Sequence, residues 1–256
     1  MTDEGLPHVG GDGMVKKYEF VSEKELKPAW DVCSSCLDVA KGITKRKGYP
    51  FECYPIGSFE RKLVTREIGG NKGFDIDVDL VIDEPSNGGK GMGKEIFDIF
   101  FDAVRKSFKE TEFSDPEDST SVMTLKCKDP KNSRIIYSID LAIMFYDDCG
   151  CAHVLHHYKD NGGYGFQKRF SDGVLDKEEW VEENIDHDVI ADEYLRLKNR
   201  NRDPSKHSRS IYFETINNLY NECHEDDSTY VSLPFEEQRV VIPQPYCPYV
   251  SVWENR

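Results

Sequence analysis

The chain has 256 residues, 38% hydrophobic and 32% charged, with a formal net charge of −15 at pH 7. That is enough apolar material for one large domain or two lobes sharing a cleft, while the longest apolar runs fall well short of the roughly 20 residues that cross a bilayer. The acid excess argues against an extended nucleic-acid surface, which needs clustered Lys and Arg to replace counterions.

The N-terminus lacks the basic-then-apolar pattern of a leader peptide, so the reading is a soluble cytoplasmic protein with no membrane partner. In that setting the eight cysteines (Cys33, Cys36, Cys53, Cys127, Cys149, Cys151, Cys223 and Cys247) are expected as reduced thiols.

In chain order, residues 1–27 read as a polar, Gly-rich arm, with a helix expected over about residues 27–45 on the apolar face of Leu37, Val39, Ala40 and Ile43. FECYPIGSF is a short strand breaking at Gly57, followed by the polar stretch RKLVTREIGGNKG. FDIDVDLVID, residues 74–83, is a strand; EPSNGGKGMGK is a loop by composition. KEIFDIFFDAVRKSF repeats Ile96, Phe97, Phe100, Val104 and Phe108 at helical spacing. SVMTLKCK and RIIYSIDLAIMF form two strands around DPKN, and HVLHHY and YGFQKRF another two around DNGG. From Trp180 the pattern turns helical, with helices expected over residues 188–198 and from Ser208, before a Pro-rich extended end. The division is an arm (1–27), a mixed-sheet core (28–175), and a helical lobe with an extended tail (176–256).

The acidic strand raises the chemical question. Strand side chains alternate faces, so Asp75, Asp77 and Asp79 share one face and Ile76, Val78 and Leu80 the other. Carboxylates about 7 Å apart repel by about 0.6 kcal/mol in water and about 2.4 kcal/mol at an effective dielectric near 20. A solvent-facing edge strand would tolerate that face. A site for hard divalent cations would use it, because Mg²⁺ takes one or two carboxylates together with substrate phosphates. Two further features favour the site. Gly57-Ser58 ends a strand with backbone N–H groups and a small hydroxyl suited to phosphate. Asp140 is the single acid inside the apolar strand IIYSIDLAIMF, a costly position unless it is paired or ligates a cation. A third carboxylate arriving on a neighbouring strand would complete a two-metal site for phosphoryl transfer.

This set resembles the nucleotidyltransferase superfamily with the DNA polymerase beta-like palm. Within it, GSFERKL…GFDIDVDLVI is most similar to the group containing cyclic GMP-AMP synthase, oligoadenylate synthase and the bacterial dinucleotide cyclases (CD-NTases). The resemblance covers roughly residues 28–222. It implies an α+β fold: a mixed β-sheet palm flanked by helices, with a smaller helical C-terminal lobe. It implies Mg²⁺ or Mn²⁺ held by Asp75, Asp77 and Asp140, with Asp79 the alternative to Asp75, because Asp77-x-Asp79 matches the oligoadenylate synthase version equally well. Gly57 and Ser58 would hold the incoming phosphates. YLRLKNRN…SRSIYFETI is similar to the family's Lys and Ser-x-x-h-Glu pair, which puts Lys198 and Ser210 on the donor triphosphate. The implied activity is transfer of a nucleoside monophosphate from a nucleoside triphosphate, ATP among them, to a hydroxyl with release of pyrophosphate. Its product would be a cyclic or linear oligonucleotide signal. The alternatives are transfer to a protein, an RNA end or a small molecule, and a non-catalytic nucleotide-binding or interaction member of the same fold.

Two other motifs compete. GGKGMGKE, residues 88–95, nearly spells a P-loop between a strand and a helix, but Glu95 stands where that motif needs a hydroxyl. It reads otherwise as a linker, or as a loop bordering the cleft where Lys90 or Lys94 meets phosphate. Cys33-x-x-Cys36, and Cys149-x-Cys151 with His153, His156 and His157, have ligand types zinc accepts. Their other reading is buried thiols in a helix and histidines lining a strand.

Overall fold

A computed structural model describes residues 17–129, 131–132, 134–169 and 175–224. Its centre is a seven-stranded mixed sheet. Strand β2 (Phe51–Ile56) pairs antiparallel with β4 (Phe74–Ile82), and β4 pairs parallel with the long β7 (Arg134–Tyr146). On the other side of β7 lie β6 (Met123–Asp129) and the short β5 (Glu117–Asp118), both antiparallel to their neighbours. The C-terminal end of β7 pairs with β8 (Ala152–Tyr158), which forms a hairpin with β9 (Gly163–Lys168). The α+β architecture expected from the sequence is the one observed.

The sheet is two-faced because β4 and β7 alternate. Ile76, Val78 and Leu80 face the same side as Ile139, Leu141 and Ile143. They pack in one cluster with Cys33, Leu37 and Ala40 of α1 (Glu23–Lys45) and Ile96, Phe100 and Val104 of α3 (Gly93–Ser107). Each buried Leu, Ile or Phe contributes about 1.5–3 kcal/mol, so this face dominates the stability of the core. The opposite face carries the aspartates.

Helices α4 (Leu175–Asn184), α5 (His187–Arg200) and α6 (Ser208–His224) have their own cluster of Val181, Ile190, Tyr194, Ile211, Tyr212, Ile216 and Leu219. Leu63, from the core part of the chain, is 2% exposed inside it, and Phe20 packs against it. The lobe is therefore built partly over core residues. No helix among the described residues is long and apolar enough to cross a membrane.

Several boundaries differ from the sequence reading. Residues 18–27, read as arm, form β1 (Tyr18–Phe20) and the first turn of α1. The helix starts a turn early because the Glu25 carboxylate accepts hydrogen bonds from the N–H and hydroxyl of Ser22, at 3.4 and 2.8 Å, half of a capping box. The stretch read as merely polar contains β3 (Thr65–Glu67), paired antiparallel with β1. Helix α4 begins at Leu175, before Trp180. The Pro-rich end, Cys247 included, and part of the DPKN turn lie outside the described residues. The described cysteines are free thiols.

Candidate active site

Register builds the site. In the parallel β4–β7 ladder Asp77 lies directly beside Asp140, Asp75 beside Ser138, and Asp79 beside Ala142. On the far side of β7, Thr124 of β6 lies beside Asp140. The face thus presents Asp75, Asp77 and Asp140 together, each on a strand whose alternate residues are locked into the core.

Hydroxyls hold two of these acids. Thr124 Oγ1 donates to Asp140 Oδ1 at 2.5 Å, and Ser138 Oγ donates to Asp75 Oδ1. Asp77 is different: burial, then the neighbouring Asp140, Asp75 and Asp79, push its pKa from the ordinary 3.8 to about 6, with only Arg169 opposing. Asp140 is also raised, by burial first and then Asp75, against the Thr124 hydrogen bond and Lys126. Arg169, Thr124 and Lys126 therefore compensate the pair only in part.

Asp79 is in another situation. It is 4% exposed, and its Oδ2 accepts from Arg169 Nη1 at 3.0 Å, while Oδ1 is buried without a partner. Burial raises its pKa and Arg169 works against that. The third aspartate of the strand has a protein cation; Asp77 has only the distant influence of the same arginine.

Gly57 and Ser58 turn β2 into the four-residue helix α2 (Gly57–Glu60) beside the acids. Gly57 has φ +66°, and a Cβ there would stand 3.2 Å from Asp77 Oδ2. Only glycine lets this turn lie so close to the carboxylate without strain. Ser58 is half-buried at its start.

Lys198, on α5, is 9% exposed. Its ammonium donates to Thr65 Oγ1 at 2.6 Å, Ser208 Oγ at 2.9 Å and Tyr194 OH at 3.2 Å, and sits 4.9 Å from the Tyr18 ring centre. Burial lowers its pKa to about 8, and Asp75 pulls it partly back up. The serine that meets Lys198 is thus Ser208. Ser210, expected beside Lys198 on the donor triphosphate, is exposed two residues further along α6, about 200° around the helix from Ser208.

The competing motifs do other work. Gly93, in the near-P-loop, packs against β9: a Cβ there would come within 2.7 Å of the Tyr164 backbone. Lys94 is bonded to Asp98. Cys33 and Cys36 are buried in α1. His153, His156 and His157 face Asp147, Ser121 and Asp118. Among the described residues, no group of three or more His, Cys, Asp and Glu side chains closes into a metal cage. For zinc that leaves no assembled ligand set. For Mg²⁺ a closed cage is not needed, since it keeps waters and substrate phosphates as ligands and uses one or two carboxylates. The side-by-side Asp77 and Asp140 fit that demand.

Sequence reading missed Thr124, Ser138, Arg169 and Ser208. The first two follow from strand register, and Arg169 and Ser208 from tertiary packing.

Neither a scan against protein-family models nor a search of curated proteins finds a match. Solved structures do match. Escherichia coli DncV in a 3'-deoxy GTP bound form is 12% identical, with TM-score 0.51, covering 82% of this chain and 71% of that one. Vibrio cholerae DncV cyclic AMP-GMP synthase, in complex with the linear intermediate 5' pppA(3',5')pG, is 14% identical with TM-score 0.50, covering 84% and 71%. A further Vibrio cholerae DncV structure, bound to 3'-deoxy ATP, is 15% identical with TM-score 0.48, covering 83% of this chain; the present chain spans about half of it, 54%. The fold is that of the cyclic GMP-AMP synthase and CD-NTase-like nucleotidyltransferases. In this chain Gly57-Ser58 falls at the β2–α2 junction, Asp75-x-Asp77 on β4 and Asp140 on β7.

Proposed function

We propose that the chain is a divalent-cation-dependent nucleotidyltransferase, moving a nucleoside monophosphate from a nucleoside triphosphate to a hydroxyl and releasing pyrophosphate. The register that sets Asp77 beside Asp140, with Asp75 flanking, carries this reading. Asp79 is the residue with an arginine partner, which supports Asp75 and Asp77, not Asp79, as the ligand pair with Asp140. Bound Mg²⁺ or Mn²⁺ would neutralise the triphosphate and make the acceptor hydroxyl easier to deprotonate.

The chain's own residues do the positioning. Thr124 and Ser138 fix one oxygen each of Asp140 and Asp75, leaving the remaining oxygens for ligation. Ser58 offers its hydroxyl to donor phosphates beside Asp77. Lys198 brings an ammonium whose desolvation a triphosphate would relieve. Such chemistry is orientation plus charge stabilisation. We read the product as a cyclic or linear oligonucleotide, supported by the fold shared with DncV bound to pppA(3',5')pG.

Incubation with the four nucleoside triphosphates and Mg²⁺ or Mn²⁺, followed by mass analysis and pyrophosphate detection, tests this. Oligonucleotide products and pyrophosphate are expected, lost in Asp77→Asn and Asp140→Asn. Activity surviving those substitutions overturns the site. Nucleotide binding without pyrophosphate under any condition would make the chain a binding module. A label transferred only to added protein or RNA would move the acceptor there.

A further inference from the structure

The turn that carries Ser58 is too short to hold itself. Helix α2 has four residues, well below the length at which a helix is stable alone. The chain then takes a left-handed residue, Lys62 at φ +56°. Inside the turn, the Ser58 carbonyl accepts from the Leu63 N–H at 2.7 Å and the Gly57 carbonyl from the Arg61 N–H at 3.2 Å. What anchors it comes from elsewhere.

Phe59 packs the turn against Trp30 in the sheet core, and Arg61 anchors it to the helical lobe. Its Nε and Nη2 donate to Glu178 Oε1 of α4 at 3.0 and 2.6 Å. Its guanidinium lies 4.4 Å from the ring centre of Tyr212 on α6. The Tyr212 hydroxyl donates to Glu182 Oε1, again on α4, at 3.0 Å. The Arg61 carbonyl accepts from His187 Nε2 at the start of α5, at 2.8 Å. Two residues on, Leu63 is buried in the helical cluster. Side chain, backbone and next apolar neighbour thus tie one turn to all three lobe helices. The pairing is also sheltered: the Arg61 and Glu178 side chains are 28% and 12% exposed. Exposed pairs such as Lys27–Asp31, at 65% and 56%, contribute little by comparison.

Lys198 belongs to the same lobe, on α5. We infer that Arg61 is a positioning residue. By locking the Ser58 turn to the helical lobe through Glu178 and Tyr212, it makes the two triphosphate contacts, Ser58 from the core and Lys198 from the lobe, move as one body. The inference rests on the nucleotide-binding reading above. An arginine suits the role because its planar fork bonds Glu178 while its face stacks on Tyr212; a lysine keeps only the charge.

Two measurements on Arg61→Lys, Glu178→Gln and the double variant test it. Arg66→Lys is the control, since the ion pairs of Arg66 are with Glu19 of β1 and Glu25 of α1. In wild-type protein without nucleotide, the Leu63 amide should exchange slowly, and clearly faster in either single variant while core amides stay protected. Unchanged Leu63 exchange in folded variants overturns the anchor. Binding of a nonhydrolysable ATP analogue with Mg²⁺ should weaken about tenfold or more in each single variant. The double variant should be no worse than the singles, because both remove one device. Binding within about twofold of wild type alongside faster Leu63 exchange leaves the anchor standing and overturns its coupling to the triphosphate contacts. If wild-type protein binds no nucleoside triphosphate, the nucleotidyltransferase reading and the coupling fall together, and the exchange measurement still judges the anchor. Glu178→Gln is the milder change, keeping a carbonyl acceptor for Arg61 where an alanine would leave the guanidinium unpaired.

Discussion

Asp77 carries a cost in the empty protein that its role would repay. Its pKa is raised from 3.8 to about 6. Below the lower value both folded and unfolded chains hold the proton. Between the two the unfolded chain ionises first, so stability falls as pH rises, and above about 6 the full penalty of about 3 kcal/mol remains. Asp77→Asn should therefore raise the melting temperature of metal-free protein near pH 7.5 and leave it almost unchanged near pH 4, while abolishing turnover. Calorimetry at the two pH values checks this; an equal shift at both would mean that burial and like charge are not what perturbs Asp77. Asp79→Asn weakens the bond to Arg169 but should leave turnover within about tenfold of wild type, as a product assay reads. Lys198 adds a third expectation. With its pKa lowered to about 8, it is half neutral near that pH, and phosphate oxygens would favour the ammonium. Triphosphate binding near pH 8 should take up as much as about half a proton, and almost none near pH 6. Titration calorimetry in buffers of different ionisation enthalpy reads the uptake directly.

At the scale of elements, the strands that carry the acids were legible because period two is a strong signal in FDIDVDLVI and IIYSIDLAIMF. Alternation named the face, and it also limited what could be seen. Which strand lies beside which, and in what register, is not written in either segment, so Thr124 and Ser138 stayed hidden. Strands β1 and β3 were missed because three residues cannot show a period, and Thr65-Arg66-Glu67 has no apolar alternate. Ser210 came from the Ser-x-x-h-Glu resemblance alone, and the contact of Ser208 with Lys198 joins two helices whose packing neither segment spells out. Thr124 supplies the test at this scale. Thr124→Val should weaken activation by Mn²⁺ about tenfold, with Thr124→Ser restoring it. Direct Mn²⁺ binding should shift in parallel with activity; a loss of activity with unchanged Mn²⁺ affinity would assign Thr124 a different part.

For the whole molecule, the division into core and helical lobe read from sequence is a division of pattern, not of packing. Leu63 and Phe20 precede most of the core in sequence yet pack with α4, α5 and α6. Leu63→Ala should cost about 2–5 kcal/mol, and the loss should appear in the lobe as well as in the core. Denaturant unfolding followed by Trp180, which packs in the lobe cluster, and by a probe in α3 should give coincident transitions that shift together. Separate transitions would show that the lobe folds without its core residues.

The pairing of Asp77 with Asp140 has one more consequence, for how the chain tolerates insertion and deletion. Face alternation makes a shift of one residue in β7 carry Asp140 through the sheet into the space now held by Ile139 and Leu141. A carboxylate there, dry and unpaired, costs more than most cores can bear. Misregistered β7 is thus penalised by the very residue whose chemistry needs the correct register. Length changes in the β6–β7 turn should be survivable where they leave the frame of β7 intact, while a single-residue change inside 134–140 should remove fold and function at once. The acid works as a frame check on the strand that displays it.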